Sequence, residues 1–267
     1  YNRTQGKFQE GKFDTLPISG NNIYSTIDLE LQKYGEKLMQ NKIGAIVAIE
    51  PKTGEILSLV SSPSYNPAQL SGRDRSKNFK KLISNKEKPL FNRALSGLYP
   101  PGSIFKLLNG LIALEEDIVD KNKLYSCING FEYEKNKFIG CHPHKSYTNL
   151  EQAIAISCNT YFCKAFSETF KKFNTTKQSY NIWRNHIKSF GVGEWMNNDF
   201  VSGAPGLLPK HDYYNKYYGR TSWNSSTIIS MAIGQGELLL TPIQMANIAS
   251  IIANKGFYFT PHIIKSI

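Results

Sequence analysis

A serine and a lysine lie three residues apart where a helix is predicted to begin. They are Ser103 and Lys106, in the stretch YPPGSIFKLLNG over residues 99–110. The Pro-Pro-Gly segment favours an extended or turned backbone, so the helix should begin at or just after Gly102. Residues i and i+3 share one helix face, which places the two side chains side by side. A desolvated lysine amine can activate a serine hydroxyl, so this pair could perform nucleophilic acyl transfer.

A second polar pair, Ser157 and Asn159, follows an apolar helical segment. The Ser157 hydroxyl could pass a proton to a leaving amine, and the Asn159 amide could hold a substrate amide through its donor and its acceptor. Such residues are also common as ordinary helix caps. In one cleft with Ser103 and Lys106, the pair would complete a serine acyl-transfer site.

Cysteines and histidines form a third candidate group. Three thiols and one imidazole would make a closed, tetrahedral ligand set for structural zinc, from Cys127, Cys141, His144 and Cys158. His142 is the rival imidazole. A disulfide such as Cys127–Cys141 is the alternative in an oxidising compartment. Cys163 falls on a different helix face from Cys158 and is predicted to be a buried free thiol.

Composition limits the classes of protein that fit. The 267 residues are 40% hydrophobic and 20% charged, which is ordinary for a globular protein, and the net charge is +11. That charge suits an anionic surface such as nucleic acid, membrane headgroups or a cell-wall polymer. No nucleic-acid motif is present, and no run of 18 apolar residues occurs. The chain begins at Tyr1, so we expect a fragment or processed form whose membrane anchor lies outside it.

Hydrophobic periodicity predicts the elements that position these groups. They are strands at 23–27, 44–50 and 55–61 and helices at 107–116, 149–166 (interrupted near Ser157) and 241–253. No βαβ unit repeats, which predicts an α+β fold with an antiparallel sheet. Residues 1–20 are predicted to be the tail of a preceding domain or a linker, and 21–267 one domain. The Tyr- and Lys-rich stretch 208–224 is predicted to be a solvated polar loop that carries His211, and the border of a substrate groove is the alternative.

Five segments together resemble a known family. They are NNIYSTIDLELQKYGEKLM, GAIVAIEPKTGEILSLVSSPSYNP, FNRALSGLYPPGSIFK, NLEQAIAISCNTYF and AIGQGELLLTPIQMANIASIIANKG. In this order they resemble the transpeptidase domain of class B penicillin-binding proteins, most closely the penicillin-binding protein 2 type that serves cell elongation. The resemblance runs from about Asn21 to the C-terminus. It implies the serine β-lactamase-like α+β fold, with an antiparallel sheet packed between helical regions.

The resemblance also implies an activity and a location. Members cross-link peptidoglycan stem peptides ending in D-Ala-D-Ala through a serine acyl-enzyme, and β-lactams inhibit them. By this resemblance Ser103 is the nucleophile, Lys106 its base, and Ser157 and Asn159 the second motif. Some relatives carry a metal in the region of the candidate zinc ligands. The expected location is the periplasmic face of the bacterial inner membrane, with a membrane glycosyltransferase of the elongation machinery as partner.

The third motif of the family has no match in its usual place. Lys52-Thr53-Gly54 spells KTG, but it precedes Ser103 and reads as an exposed hairpin turn. In the family the third motif follows the other two, on a strand near the end of the domain. The sequence therefore predicts a domain truncated before that motif, with its C-terminal strands missing and its activity reduced.

Three other classes of function stay open at this point. A β-lactam-sensing or non-catalytic penicillin-binding domain could keep Ser103 and Lys106 without turnover. A class D-like β-lactamase is a related enzyme, although no deacylating base is recognisable. A zinc-bearing nucleic-acid module would need paired cysteine spacings and a basic recognition helix, and the sequence has neither.

Overall fold

The computed structural model describes residues 19–220 and 222–267. The tail or linker predicted for residues 1–20 therefore lies, except for its last two residues, outside the described part. No helix within the described ranges is long and apolar enough to cross a membrane.

Within the described residues, the strands form four antiparallel pairs. In chain order they are β1 (Tyr24–Ser25), β2 (Gly44–Ile49), β3 (Ile56–Ser62), β4 (Tyr125–Ser126), β5 (Gly130–Glu134), β6 (Lys137–Gly140), β7 (Tyr147–Thr148) and β8 (Ile264–Ser266). β1 pairs with β8, β2 with β3, β4 with β7, and β5 with β6. Together with the helices they give the α+β class, and the antiparallel pairing predicted from the sequence is confirmed.

Nine α-helices and three short 3-10 turns complete the described residues. The helices are α1 (Leu29–Leu38), α2 (Arg75–Ser84), α3 (Arg93–Ser96), α4 (Phe105–Glu115), α5 (Leu150–Ala155), α6 (Asn159–Lys171), α7 (Thr176–Ser189), α8 (His211–Tyr218) and α9 (Pro242–Ala253). The 3-10 turns are Pro67–Leu70, Gly102–Ile104 and Ile229–Ile233. The predicted break in the 149–166 helix is confirmed, because Ser157 lies between α5 and α6.

The β2–β3 hairpin carries the misleading KTG sequence. The turn closes by a hydrogen bond from the Glu50 N–H to the Glu55 carbonyl, at 2.8 Å. Gly54 has φ +81°, and a Cβ there would lie 2.8 Å from the Thr260 carbonyl oxygen, so this turn position requires glycine. Lys52 is exposed, as predicted.

The main core lies around α4. Phe105, Leu108 and Ile112 recur at helical spacing and are at most 2% exposed. They belong to one buried cluster with residues of α6, α7 and the 229–233 turn, Trp183 among them. Burying each such side chain contributes roughly 1.5–3 kcal/mol to stability. This packing fixes α4, which carries Lys106 and directly follows the 3-10 turn that carries Ser103.

The loop predicted for 208–224 is wrong in its middle, where α8 forms. His211 is the first residue of this helix rather than a loop residue. Tyr214 is fully buried, and its ring centroid lies 5.4 Å from that of Tyr180 and 5.1 Å from that of Trp223. The polar composition of this stretch did not indicate the helix, because only one aromatic side chain, Tyr214, packs it onto the core.

Candidate active site and metal centre

The nucleophile candidate lies on a tight turn that leads into α4. Gly102 has φ +64°. The 3-10 turn Gly102–Ile104, here called the nucleophile turn because it carries the candidate nucleophile Ser103, continues directly into the helix. Ser103 is exposed, whereas Lys106 is only 3% exposed. N–H groups in the first turn of a helix lack intrahelical acceptors and are available to a developing oxyanion.

Lys106 lies in a shell of three hydrogen-bond acceptors. Its Nζ donates to the Ser157 carbonyl at 2.7 Å, to Ser157 Oγ at 2.9 Å and to Asn159 Oδ1 at 2.6 Å. These partners lie more than fifty residues further along the chain. The structure thus brings three of the four predicted catalytic residues into direct contact.

Ser103 shares a cleft with Lys106 and Ser157. The cleft has a volume of about 260 Å³, and its lining includes Ser103, Lys106 and Ser157. Three apolar side chains complete the lining: Ile104, Leu107 and Ile154. A carbonyl compound that enters this cleft would meet the hydroxyl and the amine together.

Burial lowers the pKa of Lys106 below its ordinary value. Negative charge on the thiols of Cys141, Cys158 and Cys163 acts in the opposite direction and offsets part of this effect. The lowered pKa increases the fraction of neutral amine near neutral pH, and only the neutral amine can accept a proton.

Ser157 is held in a backbone conformation that L-residues rarely adopt, with φ +55°. Such a conformation costs about 1–3 kcal/mol and persists only where the surroundings impose it. Here α5 is fixed at its start by a capping box between Asn149 and Gln152, and the Cys158 N–H bonds back to the Ala153 carbonyl at 2.9 Å. The reversal at Ser157 turns both its carbonyl and its hydroxyl toward Lys106.

The four predicted zinc ligands converge beside this cleft. One ligand atom each from Cys127, Cys141, His144 and Cys158 lies within 4.8 Å of all the others. Cys127 follows β4, Cys141 follows β6, and Cys158 is the N-cap of α6. All four cysteines of the chain are free thiols, so no disulfide joins Cys127 to Cys141.

The distances fit a tetrahedral metal site. The sulfur atoms of Cys141 and Cys158 lie 3.8 Å apart. A tetrahedral zinc with metal–sulfur bonds of about 2.3 Å requires a sulfur–sulfur edge of about 3.8 Å. The Cys141 sulfur lies 3.4 Å from His144 Nε2. The donor set and its spacing therefore fit zinc.

The imidazole of His144 is oriented for a ligand. Its Nδ1 lies 2.6 Å from the Lys145 carbonyl oxygen. Because a carbonyl only accepts hydrogen bonds, Nδ1 carries a proton, which leaves Nε2, 3.4 Å from the Cys141 sulfur, as the ring nitrogen in position to bind a metal. His142 is exposed and does not belong to the converging group.

The acidity of the thiols differs within the group. Burial alone raises the pKa of Cys141, but hydrogen bonds from Thr160, His144 and Asn159 outweigh it and lower the pKa to about 7. Burial raises the pKa of Cys158. A thiolate is the form that binds metal, so Cys141 is the thiol most readily available as a first ligand.

Two residues that contact the turn at Ser103 or lie in α4 were not identified from the sequence. Gly234 lies against the nucleophile turn, where its carbonyl accepts from the Gly102 N–H at 2.8 Å. Asn109 is buried in α4 and makes three hydrogen bonds to distant residues. A polar residue within the apolar run 104–114 was the available signal for Asn109. For Gly234 the available signal was the Gly-Gln-Gly sequence at 234–236, which is typical of a turn.

Comparison with known proteins agrees with this geometry. Residues 44–267 match the model of the penicillin binding protein transpeptidase domain. The peptidoglycan D,D-transpeptidase MrdA of Acinetobacter baumannii is 34% identical over 253 residues, which cover 94% of this chain and 36% of that protein. The chain thus spans little more than a third of that relative.

Solved structures show the same likeness. Penicillin-binding protein 2 of Pseudomonas aeruginosa, in complex with WCK 5153, matches with a TM-score of 0.81 and 31% identity, over 94% of this chain and 55% of that one. Penicillin-binding protein 2 of Helicobacter pylori, in complex with MreC, matches with a TM-score of 0.82 and 30% identity, over 94% of this chain and 45% of that one. The protein belongs to the family of penicillin-binding protein transpeptidase domains.

Proposed function

We propose that this chain performs serine acyl transfer as a peptidoglycan D,D-transpeptidase. The observation that carries the proposal is the contact of the Lys106 amine with both Ser157 and Asn159, in a cleft that Ser103 also lines. The relatives named peptidoglycan D,D-transpeptidase support the substrate class, a stem peptide ending in D-Ala-D-Ala.

The first step forms an acyl-enzyme. Ser103 Oγ attacks the carbonyl carbon of the penultimate residue of the stem peptide, and the hydroxyl proton passes to the neutral Lys106 amine. The Ser103 N–H stabilises the oxyanion that forms. Ser157 then relays a proton to the leaving amine, the carbon–nitrogen bond breaks, and the terminal amino acid departs.

The second step completes the cross-link. An amine from another stem peptide attacks the ester carbon, the bond to Ser103 Oγ breaks, and a new amide forms. The attacking amine loses a proton to the Lys106–Ser157 pair, and Ser103 regains its own. A β-lactam enters the first step in the same way, because attack on its ring carbonyl opens the ring and leaves the whole molecule bound to Ser103.

Asn159 contributes mainly by holding the other groups in place. Its Oδ1 accepts from Lys106, and its Nδ2 donates to the Gly140 carbonyl at 2.7 Å. Both ends of the amide are therefore engaged within the protein. A direct bond from Asn159 to a substrate amide, as expected from the sequence, would require Asn159 to release one of these partners.

We also propose that the converging thiols and imidazole bind a structural zinc ion. The ligands would be Cys127, Cys141, His144 and Cys158, and a closed set of four leaves no position for substrate. Zinc bound there would fix the start of α6, which carries Asn159. Elemental analysis tests this proposal: one zinc per chain supports it, and a metal-free protein with four reactive thiols contradicts it.

We place this activity at the bacterial cell envelope. The related transpeptidases act on peptidoglycan, and one related penicillin-binding protein 2 has been solved in complex with MreC. By analogy we propose the periplasmic face of the inner membrane, a membrane anchor, and a glycosyltransferase of the elongation machinery as partner.

Labelling with a fluorescent penicillin tests the acyl transfer. The wild-type protein is expected to retain the label through denaturation, since the bond is covalent. The Ser103→Ala variant should retain none. A wild-type protein that stays unlabelled at saturating penicillin would contradict the proposed function.

A further inference from the structure

The side chain of Asn109 connects α4 to two other parts of the core. Its Nδ2 donates to the carbonyls of Met231 and Ala232, both at 3.0 Å, and its Oδ1 accepts from Trp183 Nε1 at 2.8 Å. Asn109 is 6% exposed and Trp183 is 1% exposed. Both amide hydrogens and the oxygen are thus engaged in a buried network.

The segment that Asn109 holds leads directly to the nucleophile turn. Met231 and Ala232 belong to the 3-10 turn Ile229–Ile233, and Gly234 follows at once. The Gly234 carbonyl accepts from the Gly102 N–H, one residue before Ser103. The segment 231–234 therefore makes hydrogen bonds to both ends of the stretch 102–109, which contains Ser103 and Lys106.

The network fixes how α4 is rotated about its axis. Asn109 lies one turn beyond Lys106 on the same side of the helix, because residues three apart are neighbours. Apolar packing buries the helix against the core, and a fully satisfied buried polar network in addition specifies one arrangement of the packed elements. A rotation of α4 would move Ser103 and Lys106 together, away from Ser157.

We propose that Asn109 is a positioning residue for acylation at Ser103. Its contact with the 231–232 carbonyls and Trp183 sets the orientation in which Lys106 meets Ser157 and Asn159. This inference rests on the proposed acyl transfer. It predicts that removing the network lowers the rate of the chemical step far more than it weakens binding of the reagent, since the lining of the cleft stays unchanged.

The test separates binding from chemistry. Labelling by a fluorescent penicillin is followed over time at increasing concentrations, which gives a limiting acylation rate and a half-saturating concentration for each variant. Asn109→Leu removes all three bonds while it keeps the branched shape of the side chain, and its limiting rate should fall about 10- to 100-fold, the loss typical of a small misplacement. The half-saturating concentration should change by less than about threefold, as uniform binding is retained.

Two further variants control for stability. Trp183→Phe removes only the donor to Asn109 Oδ1 and should lower the limiting rate by a smaller factor than Asn109→Leu does. Asn247, on α9, is 1% exposed, and no hydrogen-bond partner for its amide lies within the described residues. Asn247→Leu therefore removes an equally buried amide without disturbing the network, and its limiting rate should match that of wild type.

The outcomes distinguish this inference from the proposed function. If wild type is not labelled at Ser103, the acyl transfer itself is wrong. If wild type is labelled and folded Asn109→Leu reaches the same limiting rate, only the role of Asn109 is wrong. Should Asn109→Leu not fold, Trp183→Phe decides: a reduced limiting rate supports the inference, and an unchanged rate overturns it. An equal rate loss in Asn247→Leu would also overturn it, because it would indicate general destabilisation.

Discussion

The backbone N–H of Asn159 donates a hydrogen bond to the sulfur of Cys141 at 3.3 Å. Asn159 thus lies between two groups, since its side chain also accepts from Lys106. Cys158, the preceding residue, is itself one of the four converging ligands. The proposed metal centre and the proposed catalytic cluster are therefore in direct contact.

Metal removal should affect both stability and acylation. Chelation of the zinc-loaded protein is expected to lower the melting temperature by roughly 5–10 °C, because the ligands come from separate elements that the metal joins. The acylation rate should fall as well, since Cys158 and Asn159 begin α6. Differential scanning calorimetry and penicillin labelling, each with and without chelator, measure the two effects.

Substitutions of two cysteines provide the control for that experiment. Cys127→Ser should lose the metal and should become insensitive to chelator. Cys163 is also fully buried but lies outside the ligand group, so Cys163→Ser should keep the metal and its response to chelator. Equal metal contents in the two variants would be incompatible with the proposed ligand set.

The acylation rate should rise with pH across the neutral and mildly alkaline range. Burial lowers the pKa of Lys106, so the folded protein releases this proton below the ordinary lysine range and the neutral base becomes available as pH increases. Between the folded and unfolded pKa values of Lys106, the unfolded chain binds more protons than the folded chain does. Ionisation of Lys106 therefore also makes folding more favourable as pH rises. Rates measured from about pH 6 to pH 10 should show an ascending limb, and a rate that falls throughout would contradict the role of Lys106 as base.

Gly234 should tolerate no side chain. It has φ +70°, and a Cβ there would lie 2.2 Å from the Gly102 carbonyl oxygen. Gly234→Ala is expected to displace the nucleophile turn and to lower the acylation rate about 100-fold or more. Gly72 is a matched control, because it has φ +69° but nothing within 4 Å of its Cβ position. Gly72→Ala should cost only about 1 kcal/mol of stability and leave labelling unchanged, whereas equal effects at both positions would argue against the contact.

Glu116, just beyond α4, should stabilise the protein in a pH-dependent manner. A hydrogen bond from His186 at 2.7 Å lowers the pKa of Glu116, and Lys172 adds to the effect. Because this folded-state pKa is depressed, the stabilisation is present above the ordinary glutamate pKa and is lost as pH falls through the folded value. Glu116→Gln should cost about 1 kcal/mol at neutral pH and less in acid.

Chemical unfolding at two pH values measures this contribution. The neighbouring Glu115 is exposed, so Glu115→Gln should change the free energy of unfolding by less than about 0.5 kcal/mol. A Glu116→Gln cost that is the same in acid and at neutral pH would refute the ionic origin of the stabilisation.

The sequence predicted the local features of the fold and site well. The Pro-Pro-Gly turn, the spacing of Ser103 and Lys106, and the break at Ser157 all depend on neighbouring residues. Asp28 shows the same local logic, because its side chain caps α1 by accepting from the Glu30 and Leu31 N–H groups. Turn and cap chemistry acts over a few residues, so it can be identified without a structure.

Contacts between distant segments could not be predicted from turn and cap chemistry. Lys106 and Asn159 are 53 residues apart, and only the resemblance to a family placed them in one site. Asn109 and Met231 are separated by 122 residues and belong to none of the motifs, so their contact had no sequence signal that could pair them. α8 was missed because its polar composition hid the one side chain, Tyr214, that packs it onto the core.

The measurement that tests the central claim most directly is intact-protein mass spectrometry after incubation with a penicillin. Wild type should gain the mass of one whole penicillin, and peptide mapping should place it on Ser103. Ser103→Ala should gain none, Lys106→Ala should gain it slower by orders of magnitude because the nucleophile has lost its base, and the exposed-serine control Ser71→Ala should match wild type. A wild-type protein without an adduct, or with one that persists in Ser103→Ala, would contradict the assignment of Ser103 as nucleophile.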